Sequence, residues 1–482
     1  MKNFLLFIFL FIFEIAFAQN QREQKILVKV GDKEISVAEF LQRSELTIRP
    51  GNFKGKNTTL NNLISEKILA LEAEKNIRLM QNLVLHRGLK GIKEQLMRDK
   101  LYDEEAFNNV ELDTSEIKNA FRLSIREYEL EFYTINNKEM IRQIETIIDS
   151  VPELTNDLFK ELKTITGKKP VHNVKYFDPE DEIIHEALYT NLLDTGTVVG
   201  PVKISNSDYI FMKVLKWVDY PILSGVDQQE RWNKVKEKMH LAKANKLWRS
   251  YILNVMKGKK IEFDKGTFKF LSEISFEYFI KNNQSDSLNL RISEIPLREE
   301  EINSSAPFFT IDGKVWSVED FKKELMSHPL VFRTKDINKN NYNEQFKLAI
   351  VDMIRDHYLT GEAYKKSLDK SEEINKTVQM WNDSYLAAEL KKDVIDSALE
   401  KGIINIDDNS GMLRYWESYL TGLQDKYSDS IWINFNELNK TSLTNIDFFA
   451  MRPGVPYPVP VPSFPMLISS ENLDYVKQGK QN

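Results

Sequence analysis

The chain is 482 residues long, with 42% apolar, 29% charged and 11% aromatic residues, a net charge of −6 and no cysteine. That length suffices for a sizeable core without disulfide support. The acidic, well-mixed charge argues against a nucleic-acid or anionic-membrane surface.

Met1-Lys-Asn3 precedes an apolar run from Phe4 to Phe13 and then Ala16-Phe-Ala18. This is the layout of a signal peptide over 1–18, cleaved after Ala18, and it predicts an exported, periplasmic protein whose mature chain begins at Gln19. No later stretch is long and apolar enough for a bilayer span. Val28-Lys-Val-Gly-Asp-Lys-Glu-Ile-Ser-Val-Ala-Glu-Phe40 then reads as strand, turn at Gly31, strand and helix start. Ser36 is placed to cap that helix, and Glu39 three residues on favours its N-terminus. The same pattern returns as Phe309-Thr-Ile-Asp-Gly-Lys-Val-Trp-Ser-Val-Glu-Asp-Phe321, with Ser317 and Asp320 in the equivalent places. The copies stay in step downstream. Leu60, Leu63, Ile64 and Ile68 recur as Ile350, Met353, Ile354 and Tyr358, in each case on one helical face. Gly51-Asn-Phe-Lys-Gly-Lys-Asn57 has too few residues between its glycines for a phosphate loop and lacks the closing Ser or Thr, so no nucleotide is expected.

The first copy occupies 19–127, with helices expected over Leu60–Asn76, Leu79–Phe107 and Ser115–Glu127. Residues 128–222 differ: a strand over Tyr128–Ile135, helices over Lys138–Asp149 and Asn156–Thr166, and a strand over Val171–Phe177. Asp178-Pro-Glu-Asp-Glu182 reads as a helix opening, with Asp178 as cap. That acidic cluster is explained by the helix dipole, and no metal site is assigned to it. Gly196-Thr-Val-Val-Gly-Pro-Val-Lys-Ile204 precedes a strand from Asp208 to Lys216 that is apolar on both faces, as a central strand is. A long charged helix follows within 223–265, its apolar side formed by Trp232, Val235, Met239, Ala242, Leu247, Tyr251 and Leu253, and it is expected to pack back on the first arm. Residues 266–305 read as a connecting segment, 306–430 as the second arm, and 431–482 as a short strand and tail. Within the tail, 452–465 holds six of the fifteen prolines and predicts an extended polyproline conformation.

The order of elements in 128–222, with Gly-x-x-x-Gly-Pro-Val and a Tyr-containing closing strand, resembles the parvulin-type peptidyl-prolyl isomerase domain. Flanked by the Val-Gly-Asp-x-x-Ile-Ser-x-x-Glu-Phe arm and the long charged helix, the chain resembles the SurA-like periplasmic folding factors over 26–265. The resemblance implies a predominantly helical α+β protein: two related arms and one parvulin-like domain made of a small antiparallel sheet with flanking helices. Departures from the family pattern bear on activity. Its closing strand carries a histidine in Phe-Gly-Tyr-His-Ile-Ile-Lys-Val, where this chain has Ser207-Asp-Tyr-Ile-Phe-Met-Lys-Val214, with Ile210 at the histidine position. The first-strand histidine falls at Glu131 or Phe132. Pro170-Val-His-Asn-Val-Lys175 replaces a Gly-Gly-Asp-Leu-Gly segment, and the cleft phenylalanine becomes Ile184.

His172 is the nearest substitute for the missing catalytic groups, although a lone histidine beside a strand is more often structural. His185-Glu186 lacks the second histidine of a zinc helix, since position 189 is Tyr. Tyr176, Phe177, Ile184, Tyr209 and Phe211 match the parvulin cleft region and are the candidate client-binding residues. The resemblance implies an ATP-independent chaperone, with no cofactor, that binds unfolded or partly folded envelope or outer-membrane proteins. An active prolyl isomerase and a structural subunit of an envelope complex are the alternatives.

Overall fold

A computed structural model of the chain describes residues 25–135, 170–204, 208–282, 291–295, 303–444 and 450–476, with a few isolated positions between them. The molecule is a predominantly helical α+β protein with small antiparallel sheets. It divides into two units, Met1–Leu101 with Ile252–Asn482, and Tyr102–Tyr251. No helix among the described residues is long and apolar enough to cross a membrane.

In the first unit, strands Ile26–Val30 and Lys33–Ser36 form a hairpin whose turn places Gly31 at φ 61°. Its third strand comes from the far end of the chain: Ile431–Ile433 pairs antiparallel with the first strand, Val28 opposite Ile433. The Ser36 hydroxyl accepts from the Glu39 amide at 3.0 Å and starts helix Val37–Glu45. In the second copy the box is reciprocal, because the Asp320 carboxylate also accepts from the Ser317 amide at 3.0 Å. In the first copy Glu39 turns instead to Lys67, 2.8 Å away.

Helix Lys56–Ala73 is enclosed on nearly every side, with Leu60, Leu63, Ile64 and Ile68 all inaccessible. Helices Glu372–Glu400 and Asn409–Tyr427 cover it, bringing Leu386, Leu390, Trp416 and Leu420 into the same core. A second core gathers around the other copy. Strands Ile261–Phe263, Pro307–Ile311 and Lys314–Ser317 form its sheet, and Phe308, Phe321, Phe346, Ile350 and Met353 fill it. Helix Lys265–Asn282, inside the stretch read as a connector, supplies Leu271 and Phe279 to this core. The copies therefore hold separate cores, each completed by helices that the repeat itself does not contain.

Charges are buried in the first core. Arg43 is inaccessible and donates two hydrogen bonds to Glu66, at 2.7 and 2.8 Å. Lys33 and Lys67 both reach Asp383, which is itself inaccessible, at 2.8 and 2.9 Å. Burial alone depresses the Lys67 ammonium, and the Glu39, Asp383 and Glu66 carboxylates overcome it, leaving the group above its ordinary value.

In the second unit, helix Thr114–Leu123 opens on a capping box between Asp113 and Glu116. It leads into a four-stranded antiparallel sheet ordered Val171–Lys175, Arg126–Ile135, Tyr209–Asp219, Val198–Lys203. The inner strand Tyr209–Asp219 takes the central place that its two apolar faces predict. Helix Glu182–Tyr189 begins later than expected: Asp181 caps it by accepting from the Ile183 amide at 2.9 Å. Asp178, the cap expected from sequence, instead accepts from the Lys175 amide at 2.8 Å and closes the turn leaving the strand. The helices expected over 138–149 and 156–166 lie almost wholly outside the described residues. Within the second unit the long helix, Gly225–Val255, meets the end of helix Thr114–Leu123 and helix Glu182–Tyr189. Trp232 meets Phe121 at 5.7 Å between ring centroids, Arg231 donates to the Ser124 carbonyl, and Lys246 pairs with Glu186.

Candidate functional site

The sheet of the second unit separates the candidate residues. Tyr176, Phe177 and Ile184 belong to the cluster on one face, formed with Tyr128, Leu130, Val174, Tyr189, Met212 and Val214. Tyr209 and Phe211 belong to the other, with Tyr133, Ile135 and Ile141. Alternation along the last strand puts residues 209 and 211 on one face and residue 210 on the opposite one. Ile210 accordingly packs with the Tyr176 cluster and is 8% exposed.

The strand order explains the Gly-x-x-x-Gly-Pro-Val motif. Strand Val198–Lys203 pairs with the last strand through an irregularity between Val199 and Val202. There Gly200, at φ 127°, lies so close that a side chain would stand 2.7 Å from the Ile210 carbonyl oxygen. The motif is thus a backbone requirement beside position 210, independent of what side chain that position carries.

His172 lies on the edge strand Val171–Lys175, opposite Leu130, with its side chain more than half exposed. Its Nε2 is 3.2 Å from Glu180 Oε1, and its ring meets Phe132 edge-on at 6.4 Å. Phe132 packs in turn against the cluster that holds Ile210.

A denser constellation surrounds His185, which the sequence reading considered only as half of a zinc motif. His185 stacks on Tyr189 at 4.9 Å and meets Tyr176 edge-on at 4.7 Å. Its Nε2–H donates to the Tyr176 carbonyl at 2.8 Å, and the Lys238 ammonium donates to the same oxygen. Tyr189 is tied down in turn, its hydroxyl donating to the Val174 carbonyl at 2.8 Å. Burial, followed by the nearby Lys238 charge, pushes His185 down to about 4, and burial pushes Lys238 down to about 8. On the opposite face Tyr133 donates to Glu131 at 2.8 Å, a buried polar pair in the cluster that holds Phe211. Two signals were available in the sequence: the i, i+4 spacing of His185 and Tyr189 on one helix, and the i, i+2 spacing of Glu131 and Tyr133 on one strand.

The His185 geometry has a pH consequence. Below pH ~6.5 the unfolded chain protonates this imidazole while the folded unit resists. Stability present above that pH is therefore lost as pH falls towards 4. About 2–3 kcal/mol is expected to go between pH 7 and pH 4. Hydrogen exchange at the amides of strand Tyr209–Asp219, corrected for intrinsic exchange, should show the second unit losing stability across this window, and His185→Gln, which keeps a donor for the Tyr176 carbonyl, should flatten that slope. An unchanged slope in the variant would place the sensitivity elsewhere.

Among the described residues no group of His, Asp or Glu is arranged to hold a metal ion. A small pocket of about 140 Å³ lies in the other unit, lined by Asp312, Lys314, Trp316, His357 and Tyr358, where Tyr358 and Lys259 already bind the Asp312 carboxylate.

No protein-family model matches the chain, and no curated protein matches it. Solved structures that align with it include the foldase protein PrsA from Streptococcus pneumoniae, at 16% identity over 46% of this chain and 88% of that one, with a TM-score of 0.20. A peptidylprolyl isomerase (PrsA) from Bacillus cereus aligns at 15% identity over 47% and 92%, with a TM-score of 0.19. PrsA from Bacillus subtilis aligns at 17% identity over 51% and 96%, with a TM-score of 0.15. Superpositions this loose carry no argument, and the case for function rests on the chain's own residues.

Proposed function

We propose that this protein is a chaperone that binds unfolded or partly folded polypeptides without ATP, and that its parvulin-like domain binds chains without isomerising them. The observation that carries the binding is a run of exposed apolar side chains where the last strand leaves the sheet. Trp217, Val218, Tyr220, Leu223 and Val226 are each at least 39% exposed, and Leu223 reaches 91%. Two of the rings are held in place by cations: the Arg126 guanidinium lies 3.7 Å from the centre of Trp217, and Lys175 lies 5.7 Å from that of Tyr220. Large apolar side chains held towards solvent lose little entropy on meeting an apolar chain segment, and exposed patches of this kind mark interaction surfaces.

The reading of the domain as one without isomerase chemistry is supported by position 210. Twisting a prolyl amide needs polar groups aimed at it, against a barrier of about 18–20 kcal/mol. Ile210 offers none, and His172 is engaged with Glu180. Export to the periplasm, with envelope or outer-membrane proteins as clients, is part of the same reading and rests on the leader-like N-terminus and the SurA-like order of elements.

The test pairs two assays on the mature protein: suppression of aggregation of a denatured outer-membrane protein, and isomerisation of a short Xaa-Pro peptide series. Suppression without isomerisation is expected. The Trp217→Ser, Tyr220→Ser, Leu223→Ser triple variant should lose most of the suppression while keeping its circular dichroism. Full suppression by that variant would remove the binding surface from the proposal, and isomerisation above background would remove the claim of inactivity.

A further inference from the structure

The proline-rich tail is held in an unusual way. Residues 452–473 form no helix or strand, and six prolines between 453 and 465 deprive the backbone of the amides that a sheet ladder needs. Its backbone is bound by side chains of the first unit. Gln95 makes a two-bond pairing with Tyr457, donating to its carbonyl at 2.6 Å and accepting from its amide at 2.8 Å. Asn62 does the same for the next apolar stretch: its oxygen accepts from the Leu467 and Ile468 amides at 2.8 and 3.0 Å, and its nitrogen donates to the Ile468 carbonyl at 2.7 Å. Between these two amides, Arg43 donates to the Ser463 carbonyl and Trp416 to the Leu467 carbonyl, both at 2.8 Å. Gly91 makes room for the Ser327 carbonyl and for the tail, since a side chain there would stand 1.9 Å from that carbonyl oxygen and 2.2 Å from the Tyr457 hydroxyl oxygen.

Apolar contacts accompany the polar ones. Val461, Phe464, Leu467 and Ile468 are 2–7% exposed, whereas Met466 between them is 53% exposed. Phe464 meets Phe53 edge-on at 6.1 Å. The groove therefore reads carbonyls and amides along an extended chain and takes apolar side chains at intervals. Amide side chains that bond a backbone are indifferent to residue identity, and any extended segment with aromatic or aliphatic residues at those intervals presents the same groups. Asn62 and Gln95 are well placed for this because both sit on helix faces and each offers a donor and an acceptor side by side.

We propose that this groove is a binding site for extended apolar polypeptide, and that the tail is its built-in occupant, which client segments displace. The proposal rests on the chaperone reading above and names a site within it. An occupant tethered to the same chain acts at high effective concentration, so a free segment competes only when it is itself favourable or present in several copies. Such a tail keeps the groove from aggregating with other chains and sets a threshold for clients.

The probe is a fluorescein-labelled peptide with the sequence of residues 455–469, titrated against the full-length mature protein. Binding should be weak to the natural chain and at least tenfold tighter to a Phe464→Ala, Leu467→Ala, Ile468→Ala variant, whose own tail is weakened. Adding Asn62→Ala to that variant should weaken binding about tenfold. Equal affinity for the natural and weakened-tail chains would overturn the proposal. Hydrogen exchange on the natural chain covers the case in which the variant misfolds. Saturating peptide should speed exchange at the Leu467 and Ile468 amides at least tenfold and leave the Lys56–Ala73 helix unchanged. Tail amides that exchange only with that helix, peptide or not, would make the tail a fixed part of the core and overturn the proposal. The aggregation assay separates the two readings: suppression with an unresponsive tail sinks this site alone, and absent suppression with a responsive tail sinks the chaperone reading alone.

Discussion

Asp383→Asn is expected to cost the first unit about 3–5 kcal/mol, among the largest effects of any single substitution in the chain. The change is nearly isosteric, so packing is not its cause. Asp383 is inaccessible and answers two ammonium groups, Lys33 at 2.8 Å and Lys67 at 2.9 Å, with Gln379 donating to the same carboxylate at 2.8 Å. A neutral amide leaves both cations in a dry site with one carboxylate partner each, Glu74 for Lys33 and Glu39 for Lys67. Removing one partner of a buried pair exposes the full desolvation cost of the other, whereas an exposed pair such as Lys376 with Glu372 is screened by water and contributes little. Glu372→Ala is therefore the control. Hydrogen exchange of the Lys56–Ala73 amides reads the first unit without interference from the other, which a whole-chain melt does not. A loss under about 1 kcal/mol for Asp383→Asn would mean that water reaches the cluster and that it is not a dry network.

The same cluster shows where sequence reading stops. The hairpin, its glycine turn, the capping serines and the apolar faces at Leu60 to Ile68 and Ile350 to Ile354 were legible, because each is a local signal of a few residues at a fixed spacing. Lys33, Lys67 and Asp383 carry no such signal. They stand on three elements, and their association is decided by helix Glu372–Glu400 packing on Lys56–Ala73, which no local pattern encodes. The pairing of Ile431–Ile433 with the first strand was hidden for the same reason. A different limit operated at Asp178. Its residues fit a helix cap, but Asp181 fits equally well, and the choice was made by the Lys175 amide, which needed a partner at the end of its strand. In the candidate site, alternation paired Tyr209 with Phe211 and set Ile210 apart. It could not relate that strand to Tyr176 or Ile184, whose facing depends on which side of the sheet their helix and turn settle.

That division between faces makes the second large effect a test of which candidate residues are free to bind. Phe211→Ala is expected to cost the second unit about 3–5 kcal/mol, since its ring is wholly inaccessible within a cluster of Tyr133, Ile135 and Ile141 and its removal leaves a cavity beside the Glu131–Tyr133 pair. Tyr209 contributes to the same cluster from a partly exposed position, opposite Ile135 on one neighbour and Lys203 on the other. Tyr209→Ala should therefore cost about 1 kcal/mol. A ring that is inaccessible in the folded state cannot meet a client unless the sheet opens, so Phe211 is read as packing and Tyr209 as the member of the pair able to touch a bound chain. Hydrogen exchange of the sheet amides in the second unit gives the two stabilities, and peptide affinity measured on Tyr209→Ala under native conditions gives the binding term. Equal costs for the two substitutions would place both rings in the core and leave the exposed apolar run from Trp217 to Val226 as the binding surface of this unit.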